Sequence, residues 1–268
     1  MCSAQSAKKV VDTAVKKGID TLFIKDHGTV KGALEAKKYQ EKYGLPVVIE
    51  IGIEPRTEFG EIGIDCLENY EGEILEELGD KGKFKFEDIS RYVQEFRKTN
   101  SRLLTCLHHP FNFSFGNKRG GFDFRIVRGV EYATGKEPVN PLFNSLEELA
   151  KFFDYVELNA NNLNAKEGEY AIRFANEFGL PGVLSSDAHF PWMIGRNFSF
   201  YYGDNARDSI KEGKIIIPKN PNQIRYFESR VNRTLSGFIR PVRKMFSELF
   251  SEENLRFLGE SSFKTYLS

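Results

Sequence analysis

What most constrains this chain is an alternation of short apolar strand patterns with amphipathic helix patterns, in which the strands repeatedly end in side chains able to hold a metal. Residues 4–17 carry Ala7, Val10, Val11, Ala14 and Val15 at helical spacing, and Gly18 supplies a stop. Thr21-Leu22-Phe23-Ile24 reads as a buried strand running into Lys25-Asp26-His27-Gly28. A helix pattern over 30–43 is followed by an apolar strand at 47–53 that delivers Glu54, and then by a hairpin through Phe59-Gly60 into 61–67. A helix at 87–99 precedes a strand at 103–107 that ends at His108-His109-Pro110. The segment 112–125, rich in Gly, Asn, Phe and Arg, reads as a long loop, and long loops in compact domains are more often functional than decorative. A helix at 145–153, a strand at 155–158, a polar loop at 159–164 and a helix at 166–178 come next. The strand at 182–185 then leads to Ser186-Asp187-Ala188-His189, with a further strand at 196–202 and a short helix at 205–212.

Strand–helix–strand alternation of this kind predicts an α/β domain with a largely parallel sheet. In parallel α/β barrels ligands collect at the C-terminal ends of the strands, which would bring residues 160 positions apart, such as His27 and Asp187, into one mouth. The last stretch differs. Segment 221–258 reads as helical and basic, with Arg225, Arg230, Arg233, Arg240, Arg243 and Lys244 between apolar positions. The expected division is therefore a domain over 1–218 and a helical extension over 219–268, which would cap the barrel or form a contact surface.

Charge and cysteine content narrow the function classes. Lys+Arg and Asp+Glu both number 38, so there is no basic excess to announce a nucleic-acid or anionic-membrane partner. Cys2, Cys66 and Cys106 are odd in number and lack CxxC spacing, which argues against a disulfide framework and points to a reducing cytosol. No apolar run approaches the roughly 20 residues of a membrane helix, and the N-terminus has no apolar signal core. A cytoplasmic location is the expectation.

Imidazole and carboxylate together suit zinc, manganese or iron, whereas calcium and magnesium prefer all-oxygen shells. The chain has four histidines, each at an expected strand end, and three of them sit beside Asp, Pro or Ala. Asp187 and His189, at i and i+2, point two ligand types into the same mouth. The alternative for any single one is ordinary: a strand-end histidine capping a carbonyl, a solvated turn at Glu54, or a helix N-cap at Asp187. Of the adjacent pair His108 and His109, one is expected to face inward, because neighbours on a strand point to opposite sides.

In this order the residues resemble the PHP family, the polymerase and histidinol phosphatase domain, over roughly 4–215. The segments that carry the resemblance are Lys25 to Gly32, Ile51-Gly52-Ile53-Glu54 with Gly60-Glu61-Ile62-Gly63, Leu107 to Phe111, Val156 to Ala160, and Ser185 to Phe190 with Ile194-Gly195. The resemblance implies a distorted (β/α)7 barrel binding up to three Zn, Mn or Fe ions and, in many members, hydrolysing phosphate esters. The subgroup this chain resembles is that of PHP-type metal-dependent phosphoesterases. The family's opening Asp-x-His-x-His strand is missing. The chain begins at Met1-Cys2-Ser3, which looks like the segment after that motif, so the expectation is either a barrel lacking its first strand or a start at an internal methionine. Many members also carry a histidine where this chain has Gly63.

Carried over position by position, the resemblance implies one ion on Glu54 and Asp187, a second on Glu54 and His109, and a third on His27 and His189. Asp26 would orient His27, and His108 would stand behind the ligands or on the surface. Lys118 and Arg119 in the long loop would clamp a substrate phosphate, or be two solvated charges. The function implied is metal-dependent hydrolysis of a phosphomonoester or phosphodiester, acting on a small phosphorylated substrate or nucleotide. The alternatives are a catalytically impaired PHP-like binding module, which the basic extension favours, and a nuclease-like role in DNA maintenance, against which the neutral charge weighs.

Overall fold

The structure, a computed structural model, describes residues 6–79, 83–111, 122–128, 141–159, 165–189, 191–218 and 255–258. Ser6 caps the first helix, α1 (Ala7–Lys16), its Oγ accepting from the Lys9 amide at 3.3 Å. Strand β1 (Thr21–His27), helix α2 (Lys31–Tyr43) and strand β2 (Val48–Glu54) follow, α2 ending on Gly44 at φ +56°. β1 and β2 pair in parallel from Thr21↔Val48 to His27↔Glu54, so two expected ligands finish side by side. Val11 and Ala14 of α1 and Ala36 of α2 pack on Val47 and Ile49 and cover one face of this pair.

Next come β3 (Arg56–Thr57) and β4 (Gly60–Asp65), a tight hairpin in which the Thr57 hydroxyl donates to the Gly60 carbonyl at 2.8 Å. Helix α3 (Asn69–Glu77), absent from the sequence reading, is closed by a reciprocal capping box between Glu68 and Glu71. Helix α4 (Phe86–Thr99), strand β5 (Leu104–Leu107), helix α5 (Leu146–Ala150), strand β6 (Tyr155–Asn159), helix α6 (Ala165–Glu177) and strand β7 (Gly182–Leu184) complete the main unit.

The main sheet runs β1-β2-β4-β5-β6-β7, with β3 pairing on β4. It is mixed, not largely parallel: β1–β2, β5–β6 and β6–β7 are parallel, but β4 runs against both neighbours. The cause is local, since a tight hairpin reverses the chain where a helical crossover would have preserved its direction. The fold is thus a mixed α/β one. Among the described residues no strand joins β1 to β7.

A second, three-stranded antiparallel sheet joins β8 (Phe200–Tyr201), β9 (Ile215–Pro218) and β10 (Leu255–Leu258), with helix α7 (Ala206–Lys211) between the first two. Residues 255–258, expected to close the basic helical segment, are therefore a strand instead. The β-branched run Ile215-Ile216-Ile217 offers a pairing edge, and Leu255-Arg256-Phe257-Leu258 takes it. The rest of the expected extension, residues 219–254 and 259–268, lies outside the described residues.

The core is aromatic. Phe86 is the hub, in edge or tilted contact with Phe59, Phe122, Phe143 and Phe152. Phe122, Phe124 and Ile126 are fully buried, so the end of the segment read as a loop is core. The Phe122 amide donates to Pro110 O at 2.8 Å and that of Asp123 to Phe59 O at 2.6 Å, which ties this stretch to the strand end carrying the histidines. Among the described residues no helix is long and apolar enough to cross a membrane.

Candidate metal centre

Side-chain alternation sorts the strands into two faces. One face of the main sheet carries Lys25 and His27 from β1, Gly52 and Glu54 from β2, Glu61, Gly63 and Asp65 from β4, Cys106 then His108 from β5, and Tyr155 and Glu157 from β6. The upper residues of this face converge at one end of the sheet.

Glu54 is the hinge of the arrangement. Its Oε1 lies 2.7 Å from His108 Nδ1 and 3.3 Å from His109 Nε2, while its Oε2 lies 3.4 Å from His27 Nδ1. Glu61 Oε2 is 3.3 Å from His109 Nε2 and Glu61 Oε1 is 3.8 Å from His27 Nδ1. Two sets of donor atoms result, Glu54/His108/His109 and His27/Glu54/Glu61, each with its atoms within 4.8 Å of one another. Glu54, Glu61, His108 and His109 are buried.

Glu157 backs the site. One of its oxygens accepts from the His109 amide at 2.8 Å and lies 3.7 Å from His108 Nε2, and the other accepts from the Ser185 hydroxyl. On the rim, Arg56 grips Glu61 Oε1 with Nε at 2.7 Å and Nη2 at 2.6 Å.

Sequence alternation predicted one inward histidine at 108–109, and the structure brings both. The reason is backbone conformation. His109 has φ +23°, outside the strand region, so alternation breaks there and the second ring turns back toward Glu54. His108 is accordingly buried beside Glu54, not on the surface. Asp187, at φ +39°, is a second non-glycine residue in the left-handed region, so two of the three such residues among those described belong to the expected ligand set. Strained backbone of this kind costs roughly 1–3 kcal/mol per residue and persists where surrounding contacts over-determine it.

Burial and charge oppose one another throughout. Desolvation works against the charged His109 ring, but the hydrogen bond to Glu54 and the charges of Glu157, Glu54 and Glu61 prevail and raise its pKa to about 10. His108 is raised on the same balance, by Glu157 and Glu54 against burial. Burial also opposes the charge on Glu54, yet His108 and His109 hold its carboxyl well below the usual range. Asp187 is pushed up by burial first and then by Glu157.

The remaining expected residues stand differently. Asp187 and His189 form their own pair, 3.9 Å apart, and join neither donor set among the described residues. No hydrogen bond joins Asp26 to His27 among those residues; strand alternation turns the Asp26 carboxylate to the opposite face, where it packs on Gly32. Lys118 and Arg119 lie outside the described residues. Glu61 and Glu157 were not singled out from sequence. Glu157 had a signal, an acidic residue within the apolar strand pattern Tyr155-Val156-Glu157-Leu158, where an unpaired charge would be costly.

The donor chemistry fits a divalent ion of the zinc, manganese or iron kind, with imidazole nitrogens and carboxylate oxygens mixed. One observation of the structure bears on this directly. His27 Nδ1 is buried and has no hydrogen-bond partner, although Glu54 Oε2 lies 3.4 Å and Glu61 Oε1 3.8 Å from it. A buried polar atom so placed calls for an explanation, and a bound ion supplies one.

Comparison with known proteins adds the following. Residues 168–214 match the PHP-associated family, PHP_C. The uncharacterized protein MJ1587 of Methanocaldococcus jannaschii is 40% identical over 60 residues, a match spanning 22% of this chain and 34% of the relative's own length. Among solved structures, PsfC of Pseudomonas syringae has 12% identity and a TM-score of 0.48 over 85% of this chain and 89% of its own. A candidate metal-dependent phosphoesterase of Bifidobacterium adolescentis has 12% identity and a TM-score of 0.41 over 73% and 87%.

Proposed function

We propose that this chain, whose residues 168–214 match the PHP-associated family, is a metal-dependent phosphoesterase of the PHP type with a centre organised by Glu54. The observation that carries the reading is the division of the Glu54 carboxylate. One oxygen serves His108 and His109, the other faces His27, so this carboxylate belongs to both donor sets and could serve two neighbouring ions. The residues that would hold ions are His108, His109 and Glu54 on one side and His27, Glu54 and Glu61 on the other, with Asp187 and His189 at the rim.

A divalent ion held there supplies Lewis-acid polarisation of a phosphoryl oxygen and lowers the pKa of a water. The chain's own groups do the rest. Glu157 fixes the His109 backbone through its amide and so fixes the ring direction. Arg56 holds Glu61 at the rim, and its half-exposed guanidinium is a planar donor suited to an anionic ester arriving from solvent. Asp187 stands beside this centre with its pKa raised by burial and then by Glu157, so a nearby cation would favour its charged form. Substrates of this reading are small phosphorylated compounds, nucleotides included.

The test is equilibrium dialysis against Zn2+ and Mn2+ with elemental analysis, followed by hydrolysis assays on p-nitrophenyl phosphate and bis-p-nitrophenyl phosphate. Bound ion lost on Glu54→Ala, together with turnover that needs it, is the expected result. Bound ion without turnover would leave a metal-binding module in place of the esterase, and no bound ion would sink the reading.

A further inference from the structure

On the same sheet face as the ligands, one step down each strand, lies a second buried charge system. Lys25 precedes His27 by two residues and so points to the same side of β1. Its ammonium is 3.2 Å from Tyr155 Oη and 3.4 Å from Asp65 Oδ2, and the Tyr155 hydroxyl donates to that same oxygen at 2.6 Å. Asp65 is fully buried and its Oδ1 has no hydrogen-bond partner. The sequence makes room for this lysine with two glycines. A Cβ at Gly52 would stand 2.6 Å from Lys25 Cγ, and one at Gly63 would stand 3.2 Å from Lys25 Nζ. The lysine therefore lies along a groove that only glycine leaves open, and any side chain at 63 would compete with its ammonium for space.

We propose that Lys25 is a resident cation of the interior, competing with divalent ions for the field of Glu54 and Glu157 and thereby setting how tightly, and how many, ions the centre holds. The inference rests on reading the Glu54 centre as metal-binding. A fixed ammonium beside buried carboxylates partly neutralises them, and in a medium of low effective dielectric it repels a second cation over several ångströms. Asp65 acts in the opposite sense. Its charge offsets the ammonium, so the two residues have opposite effects on the centre even though they are partners in one ion pair. A purely structural pair behaves otherwise: breaking it from either side would weaken the fold and the centre alike.

Opposite signs are what the experiment reads. Zn2+ and Mn2+ affinity and stoichiometry are measured by equilibrium dialysis on the full chain and on Lys25→Met, Asp65→Asn and the double variant, with thermal melts alongside. Lys25→Met is expected to bind the ion roughly tenfold or more tightly, or to take up an additional ion, and Asp65→Asn to bind it more weakly by a similar factor. The double variant should return toward the wild type. If Lys25→Met fails to fold because Asp65 is left uncompensated, Lys25→Gln, neutral but still able to donate to Asp65, takes its place and is expected to tighten binding in the same way. Equal affinities across all variants, or weakening in both single variants, would overturn the inference. Should the wild type bind no ion, the esterase reading fails by itself. Uptake of an ion by Lys25→Met would then still support the role of the lysine, and no uptake would end both.

Discussion

Glu54→Gln changes one atom and should reach both stability and metal binding. In the metal-free protein the histidine pair leans on Glu54: the His109 proton is held up to a pKa of about 10, against 6.5 for a free imidazole, in spite of burial. A shift of that size corresponds to at most about 5 kcal/mol of preferential stabilisation of the charged ring. Glu157 and Glu61 share in it, so removing the Glu54 charge should cost about 3 kcal/mol, in the range found when one partner of a buried pair is deleted. The pH window follows from the direction of the shift. Below pH 6.5 the ring is protonated folded and unfolded alike, and the attraction counts in full. Between pH 6.5 and about 10 the unfolded chain gives up the proton while the folded one keeps it, so this contribution falls by about 1.4 kcal/mol per pH unit and is gone above 10. Urea midpoints of chelator-stripped protein at pH 6, 8 and 10 measure this. The wild type should lose stability as pH rises, and the variant should begin lower and fall less steeply. A variant with the wild-type midpoint at pH 6 and the wild-type slope above it would refute the account of Glu54 as the organising charge.

Three other outcomes are expected. His108→Ala should reduce bound Zn2+ or Mn2+ as severely as His109→Ala, because both rings address the same Glu54 oxygen; a His108 variant with full metal content by elemental analysis would put that ring outside the centre. Gly52→Ala should destabilise by about 1–3 kcal/mol in urea titration, since its Cβ would meet Lys25 Cγ at 2.6 Å and Asp65 Oδ1 at 2.7 Å. Cys66 and Cys106, whose thiols burial pushes well up, should resist iodoacetamide in the native protein at pH 8 and react once it is unfolded, as peptide mapping would show.

How much of this was legible beforehand divides along physical lines. The periodic elements were legible, because apolar spacing reports burial directly: β1, α2, β2, α4, β5, β6 and α6 fall within a few residues of their expected bounds. So was the gathering of His27, Glu54 and His109, because strand ends in such a sheet share one edge. The antiparallel entry of β4 was not drawn from the hairpin signal at Phe59-Gly60, although a hairpin entails it. The strand at 255–258 depends on an edge about 40 residues away, which no local pattern around it records. The burial of Phe122 and Phe124 was hidden by the Gly and Asn residues just before them, whose composition spoke for a loop.

His109 illustrates why alternation fails where function begins. The rule that neighbours face opposite sides holds while φ stays in the strand region, and at His109 it does not. That departure is held by contacts from elsewhere in the chain: the Glu157 carboxylate takes the His109 amide, and the Ser185 hydroxyl takes the other Glu157 oxygen. A strained turn needs such contacts to stay populated, and here they come from β6 and from the end of β7. Glu157 therefore does two things with one side chain. It lends negative charge to the histidines, and it stabilises the backbone that turns the second ring toward Glu54 as well. Losing it to glutamine should disturb the second ring more than the first, because His108 stays placed by β5 while His109 depends on the bent peptide.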